Sequence, residues 1–149
     1  MKHTPFAVAA IAALAAGAAY ADGDLTKIDV TEVVLTMGTN DNGMYFEPSD
    51  FVFKTGHAYK WVLRNVDEIK HEIAVGHMAP KIFTRKVEIS DEAGNMIAEI
   101  KGTVHEIEVG AGKTVEWFFV PVQTLDSSKI ICAIPGHEEA GMFGTVTLE

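Results

Sequence analysis

The sequence predicts an all-β fold, a sandwich or barrel of two packed sheets, on two observations. Turn signals recur at short intervals, and the β-rich runs between them place apolar residues with period two. The turns are Thr39 to Gly43, Pro48 to Asp50, Thr55-Gly56, Asn65 to Asp67, Asp91 to Asn95, Gly110 to Gly112 and Pro135-Gly136. Between them, Val33, Leu35 and Met37 alternate with Val34 and Thr36, and Phe51 with Phe53 and then Tyr59, Trp61 and Leu63 keep the same period. Val115, Trp117 and Phe119 continue it, and Thr145 to Leu148 closes the chain as a last strand. Residues 79–103 are the least regular: Thr84 to Ser90 and Met96 to Lys101 flank Asp91 to Asn95 like hairpin arms, so this stretch is expected to be an inserted hairpin or flap. A short helix within Pro80 to Lys86 is the competing reading of its start. Strands at this spacing fit two packed sheets.

Residues 1–21 read as a secretory signal, with Lys2 before an apolar Phe6 to Ala19 and an A-x-A site at Ala19, Tyr20 and Ala21. The run is short and Ala-rich against the roughly 20 strongly apolar residues that span a bilayer. The expectation is therefore an exported chain, periplasmic and without membrane insertion after cleavage, whose residues 22–149 make one domain. Removing Lys2 with the leader leaves 11 basic against 21 acidic residues and a formal charge of −10, from −9 for the whole chain. That sign argues against nucleic acid and anionic membrane as partners and favours basic proteins or cations, though ordinary solubility needs no other explanation. Cys132 is the single cysteine. In an oxidising compartment it can form no internal disulfide, so it is buried and inert, paired with another chain, or a metal thiolate.

Its neighbours choose among these. Cys132-Ala-Ile-Pro-Gly-His137-Glu-Glu-Ala-Gly-Met142 places thiolate, imidazole and thioether in one loop, with Pro135-Gly136 and Gly141 to turn it tightly. Two His and one Cys in a trigonal plane with a weak axial Met is the ligand preference of copper. Structural zinc wants four strong ligands, among which methionine does not figure. The second histidine must come from elsewhere, and His71 is the best donor: it follows the Trp61 to Asn65 strand by the short Val66 to Lys70 loop. His77 is the alternative; His57, in a turn, and His105, in a strand-like run, are read as solvated or core residues. His77-Met78, Met96 and Met44 also offer soft donors for a second, weaker copper site, against the plainer reading of methionine as core filler.

These residues carry a family resemblance. Tyr45-Phe46-Glu47-Pro48, Lys54-Thr55-Gly56, Trp61 to Asn65, His71, Cys132, His137 and Met142 together resemble the cupredoxins over nearly the whole of residues 22–149. The Cys, His and Met spacing is similar to rusticyanin and to periplasmic copper-tolerance cupredoxins, and His71-Glu72-Ile73 with a long insertion is nearer the latter. The resemblance implies a Greek-key β-sandwich, a single type 1 copper held by His71, Cys132, His137 and Met142, and an Asn65 that braces the cysteine loop. Ile131 departs from the pattern, standing where an aromatic is common, and residues 79–103 match no family pattern.

Four protein ligands leave no position for substrate, and the chain lacks the repeated His-x-His pairs of oxygen-reducing oxidases. The expectation is one-electron transfer without catalysis, through a His137 edge reaching the surface beside Pro135, Ala140 and Phe143. Glu138 and Glu139 stand ready to steer a basic redox partner such as a c-type cytochrome. The alternative is a copper-tolerance protein that binds or oxidises excess periplasmic copper. A metal-free interaction module is the third class, and it would require a missing ligand.

Overall fold

The structure, a computed structural model, describes residues 28–149. The leader of residues 1–21 and the start of the domain at Asp22 lie outside the described residues. From Ile28 onward, the alternation read in the sequence becomes burial. Leu35 and Met37 of β1 (Val30–Asn40), Phe51 and Phe53 of β3 (Asp50–Phe53), and Tyr59, Trp61 and Leu63 of β4 (Ala58–Asn65) all point into one core. Val115, Trp117 and Phe119 of β9 (Thr114–Pro121) face them. Trp61 lies 6.1 Å from Trp117, and the rings of Phe51 and Phe53 meet it edge-on at 4.9 and 5.4 Å. Each such ring contributes roughly 1.5–3 kcal/mol by leaving water.

The remaining strands are β2 (Gly43–Glu47), β5 (His71–Ala74), β6 (Ile82–Ser90), β7 (Met96–Ile100), β8 (Glu106–Val109), β10 (Leu125–Ile131) and β11 (Phe143–Leu148). They form a six-stranded sheet in the order β2-β1-β4-β9-β6-β7 and a five-stranded sheet in the order β3-β11-β10-β5-β8. The pairs β1–β4 and β3–β11 are parallel; the other pairs are antiparallel. Among the described residues, no helix is long and apolar enough to cross a membrane.

The expected hairpin forms, with arms at β6 and β7, but it is not a flap. β6 pairs along β9 from Ile82 to Glu88 and so becomes part of the larger sheet. Val87 and Thr84 are buried there, and the Trp117 indole N–H donates to the Thr84 hydroxyl at 3.1 Å. The competing short helix has a counterpart slightly upstream, a 3-10 segment at Gly76–Lys81.

Several connections gather at one end of the sandwich. The Asn65 amide donates to Lys113 O, that of Gly112 to Asp67 O, and that of Met44 to Ala140 O. These bonds knit the end of β4 and its loop to the loop after β8, and the loop after β10 to the β1–β2 hairpin, and the site lies in that weave.

Candidate metal centre

His71 opens β5, opposite Val109 of β8, and its side chain is fully buried. Cys132 leaves the end of β10, which meets β5 at Ile131 opposite Ala74. Strand pairing thus carries a histidine and a cysteine 61 residues apart into one place. His137 comes from the loop between β10 and β11, which closes on itself through the backbone. Cys132 N donates to Met142 O at 3.0 Å, Met142 N to His137 O at 3.0 Å, and His137 N to Ile134 O at 3.1 Å. Gly141, at φ +106, lets this loop approach the β1–β2 hairpin: a Cβ there would stand 2.9 Å from Met44 O. Gly43, at φ +120, does the same from the other side, 2.4 Å from Ala140 O. A side chain at either position would meet both contact and strain.

The structure brings together three of the four residues expected from the sequence by their donor atoms. One ligand atom from each of His71, Cys132 and His137 lies within 4.8 Å of the others. His71 Nδ1 and His137 Nδ1 are 3.2 Å apart, and Cys132 Sγ and His137 Nδ1 are 3.3 Å apart. Bonds of about 2.0–2.3 Å from a metal to imidazole and thiolate hold neighbouring donors about 3–4 Å apart, so these separations fit a single ion. The fourth, Met142, is fully buried, with its backbone tied to both Cys132 and His137. The donor types, one thiolate, two imidazoles and a thioether, suit copper.

Surrounding groups define the site's chemistry. Burial pushes the Cys132 thiol up, while the Glu72 amide donates to its sulfur at 3.3 Å. Burial holds His137 below the usual imidazole range, and the neighbouring His71 adds to this. Asp67 Oδ2 accepts from His71 Nε2 at 2.7 Å. Burial raises the Asp67 carboxyl, but hydrogen bonds from Thr39 and His71 outweigh it and leave the group below its ordinary range.

The other histidines stand apart. His57, His77 and His105 are exposed, and His57 Nδ1 lies 3.1 Å from Thr55 O within its own turn. The soft-donor grouping also separates. The 3-10 segment bearing His77 and the fully buried Met78 runs into one end of β6, while Met96 pairs with Ser90 at the other. A nine-residue strand is ~30 Å long, too far for one ion; Met44 alone lies against the ligand loop.

Two roles differ from expectation. Asn65 does not brace the cysteine loop: its side-chain N–H groups donate to Ile69 O, Val109 O and Gly110 O at 2.7, 3.0 and 3.1 Å, and its oxygen accepts from Asp67 N at 2.9 Å. It fastens the loop that carries His71, because β4 ends beside β8 and not beside β10. Glu138 is not free to steer a partner, since Lys129 pairs with it at 2.5 Å and lies over the Phe143 ring at 4.7 Å. Asp67 and Thr39, which hold His71 in place, were not singled out from the sequence. The available signal was an acidic residue in the turn four positions before a candidate ligand.

Comparison with known proteins agrees with copper as the metal. The model of the family described as copper binding proteins, plastocyanin/azurin family, matches residues 32–149. The copper-resistant cuproprotein CopI of Rubrivivax gelatinosus is 29% identical over 127 residues, covering 85% of this chain and 70% of that protein. The protein of the same name from Vibrio cholerae is 30% identical over 102 residues, covering 68% of this chain and 53% of that one. Among solved structures, a multicopper oxidase from Campylobacter jejuni superposes with a TM-score of 0.61 at 15% identity, over 82% of this chain and 30% of that one. A copper nitrite reductase from Nitrosomonas europaea does so at 0.59 and 14%, over 79% and 48%. The chain thus spans under half of either enzyme, and at these identities the likeness is one of fold: the two sheets are a cupredoxin-like sandwich.

Proposed function

Since the chain belongs to the plastocyanin/azurin family of copper binding proteins, we propose that it is a periplasmic type 1 copper protein that exchanges single electrons. His71, Cys132, His137 and Met142 would hold the ion. The observation that carries this reading is the convergence of one thiolate and two imidazoles, all ligand atoms within 4.8 Å, at the end of a rigid sandwich. Copper, when bound, supplies a one-electron couple between Cu(I) and Cu(II). The protein's part is to hold the donors still. The backbone bonds of the Cys132 to Met142 loop and the Asn65 bonds behind His71 fix both halves of the site, so that little rearrangement accompanies a change of oxidation state.

His137 is the half-buried member of the set and lies in the loop that precedes the half-exposed Phe143. We place electron entry and exit there, with a redox protein such as a c-type cytochrome as partner. Four protein donors leave no site for substrate, which supports transfer over catalysis. Copper-loaded protein is expected to show an intense thiolate-to-Cu(II) absorption band that Cys132→Ser abolishes. A colourless Cu(II) protein would overturn the reading.

Copper tolerance is the second reading, favoured by the relatives named as copper-resistant cuproproteins. It uses the same site to bind or oxidise surplus copper. Deletion of the gene should then sensitise cells to copper; a growth defect confined to one respiratory condition, with copper sensitivity unchanged, would favour the shuttle.

A further inference from the structure

Asp67 stands directly behind one of the proposed ligands. A carboxylate only accepts hydrogen bonds, so its 2.7 Å contact with His71 Nε2 fixes the proton on that nitrogen and leaves Nδ1, 3.2 Å from His137 Nδ1, as the bare donor. Asp67 is itself held from three directions, its carboxylate by Thr39 and its backbone by Asn65 and Gly112. Thr39 donates to it through its amide at 3.1 Å and its hydroxyl at 2.6 Å. Asn65 Oδ1 accepts from the Asp67 amide at 2.9 Å, and the Asp67 carbonyl accepts from Gly112 N at 3.0 Å. The position is therefore built by β1, by the end of β4 and by the loop after β8. The imidazole between the carboxylate and the other donors is fully buried, so little solvent intervenes to screen the charge.

We propose that Asp67 is a positioning residue that sets the potential of the copper centre: it selects the Nδ1-donor form of His71, and its negative charge favours Cu(II) over Cu(I). This rests on His71 being a ligand. A carboxylate makes the ring it accepts from a stronger donor, and a fixed negative charge stabilises the more positive of two oxidation states. The protein is thereby a better electron donor than it would be with a neutral acceptor behind His71.

Asp67→Asn separates charge from geometry, because the amide oxygen can still accept from Nε2. In the copper-loaded variant the thiolate band should persist, and the potential measured by protein-film voltammetry should rise. A tenfold loss in the preference for Cu(II) corresponds to ~59 mV for one electron. Asp67→Ala should in addition lose the slowly exchanging Nε2 proton of His71 seen by NMR in the Cu(I) protein. An unchanged potential in Asp67→Asn overturns the proposal. Should that variant not load with copper, Thr39→Val decides: it keeps the carboxylate and frees it from one donor, so the potential should fall, and a constant or higher value overturns the idea equally. Failure of the underlying reading looks different, namely a wild-type protein with no thiolate band, or His71→Ala with the band intact.

Discussion

Asn65 shows how one side chain can hold a candidate metal site without touching any of its donor residues. It is buried and uses both amide hydrogens and its oxygen on the backbone of two loops, the one leading to His71 and the one leaving β8. Asn65→Ala would take a donor from the Ile69, Val109 and Gly110 carbonyls, of which Gly110 O keeps its bond from Lys113 N, and would take the acceptor from the Asp67 N–H. At the usual cost of orphaned polar groups the loss should be about 2–4 kcal/mol, measured as a lower urea midpoint at constant slope. A change within experimental error would mean that water replaces the amide. This residue also marks the limit of what the sequence discloses. Cys132, His137 and Met142 were legible because eleven consecutive positions contain them, and a lone thiol in a chain expected to be exported needs an occupation. His71 was legible only as the best of several histidines, since its place depends on the register of β5 against β8. Asp67 and Thr39, 28 residues apart, meet through tertiary contact that no local pattern announces.

At the level of elements, the strands were readable because each has one face in the core and the side-chain period is two. The arms of the β6–β7 hairpin were readable from the polar turn between them. Their absorption into the larger sheet was not, because it depends on β6 finding β9 and on Thr84 meeting Trp117. That turn is organised by Asp91, whose carboxylate accepts from the Asn95 side chain at 3.0 Å and from the Asn95 and Ala93 amides at 2.8 and 2.9 Å. The Asn95 side-chain bond, followed by that from its backbone, draws the Asp91 carboxyl below its reference of 3.8. Asp50 is drawn down likewise, first by the Thr145 hydroxyl and then by Ser49, where β3 joins β11. A folded value below the unfolded one means stability that is complete above pH 3.8 and is lost as the pH falls through the folded value. Urea unfolding of Asp91→Ala and wild type should therefore differ most near neutral pH, and the gap should narrow below pH 3.8. A gap independent of pH would assign the effect to the turn's shape and not to its charge.

For the whole molecule, two features compete to decide how a partner would dock. One is charge: the full chain carries −9, and a basic redox protein would feel that field well before contact. The other is local, and it points the opposite way. Beside the metal loop Glu138 is neutralised by Lys129, whose ammonium also covers the Phe143 ring, while Val66 and Ile69 of the loop before His71 and Phe143 itself are exposed. The final contact is thus expected to be apolar, with the charge acting at a distance and Glu139 as the nearest exposed carboxylate in the loop. Long-range steering fades as the Debye length shortens from about 30 Å at 0.01 M salt to about 8 Å at 0.15 M. The second-order rate of electron exchange with a basic cytochrome should accordingly fall over that range and then level off at a floor set by apolar docking. Lys129→Gln, which frees Glu138, should raise the low-salt rate and leave the floor in place. A rate that does not respond to salt would show that the protein's acidity serves its solubility and that the exposed apolar residues alone select the partner.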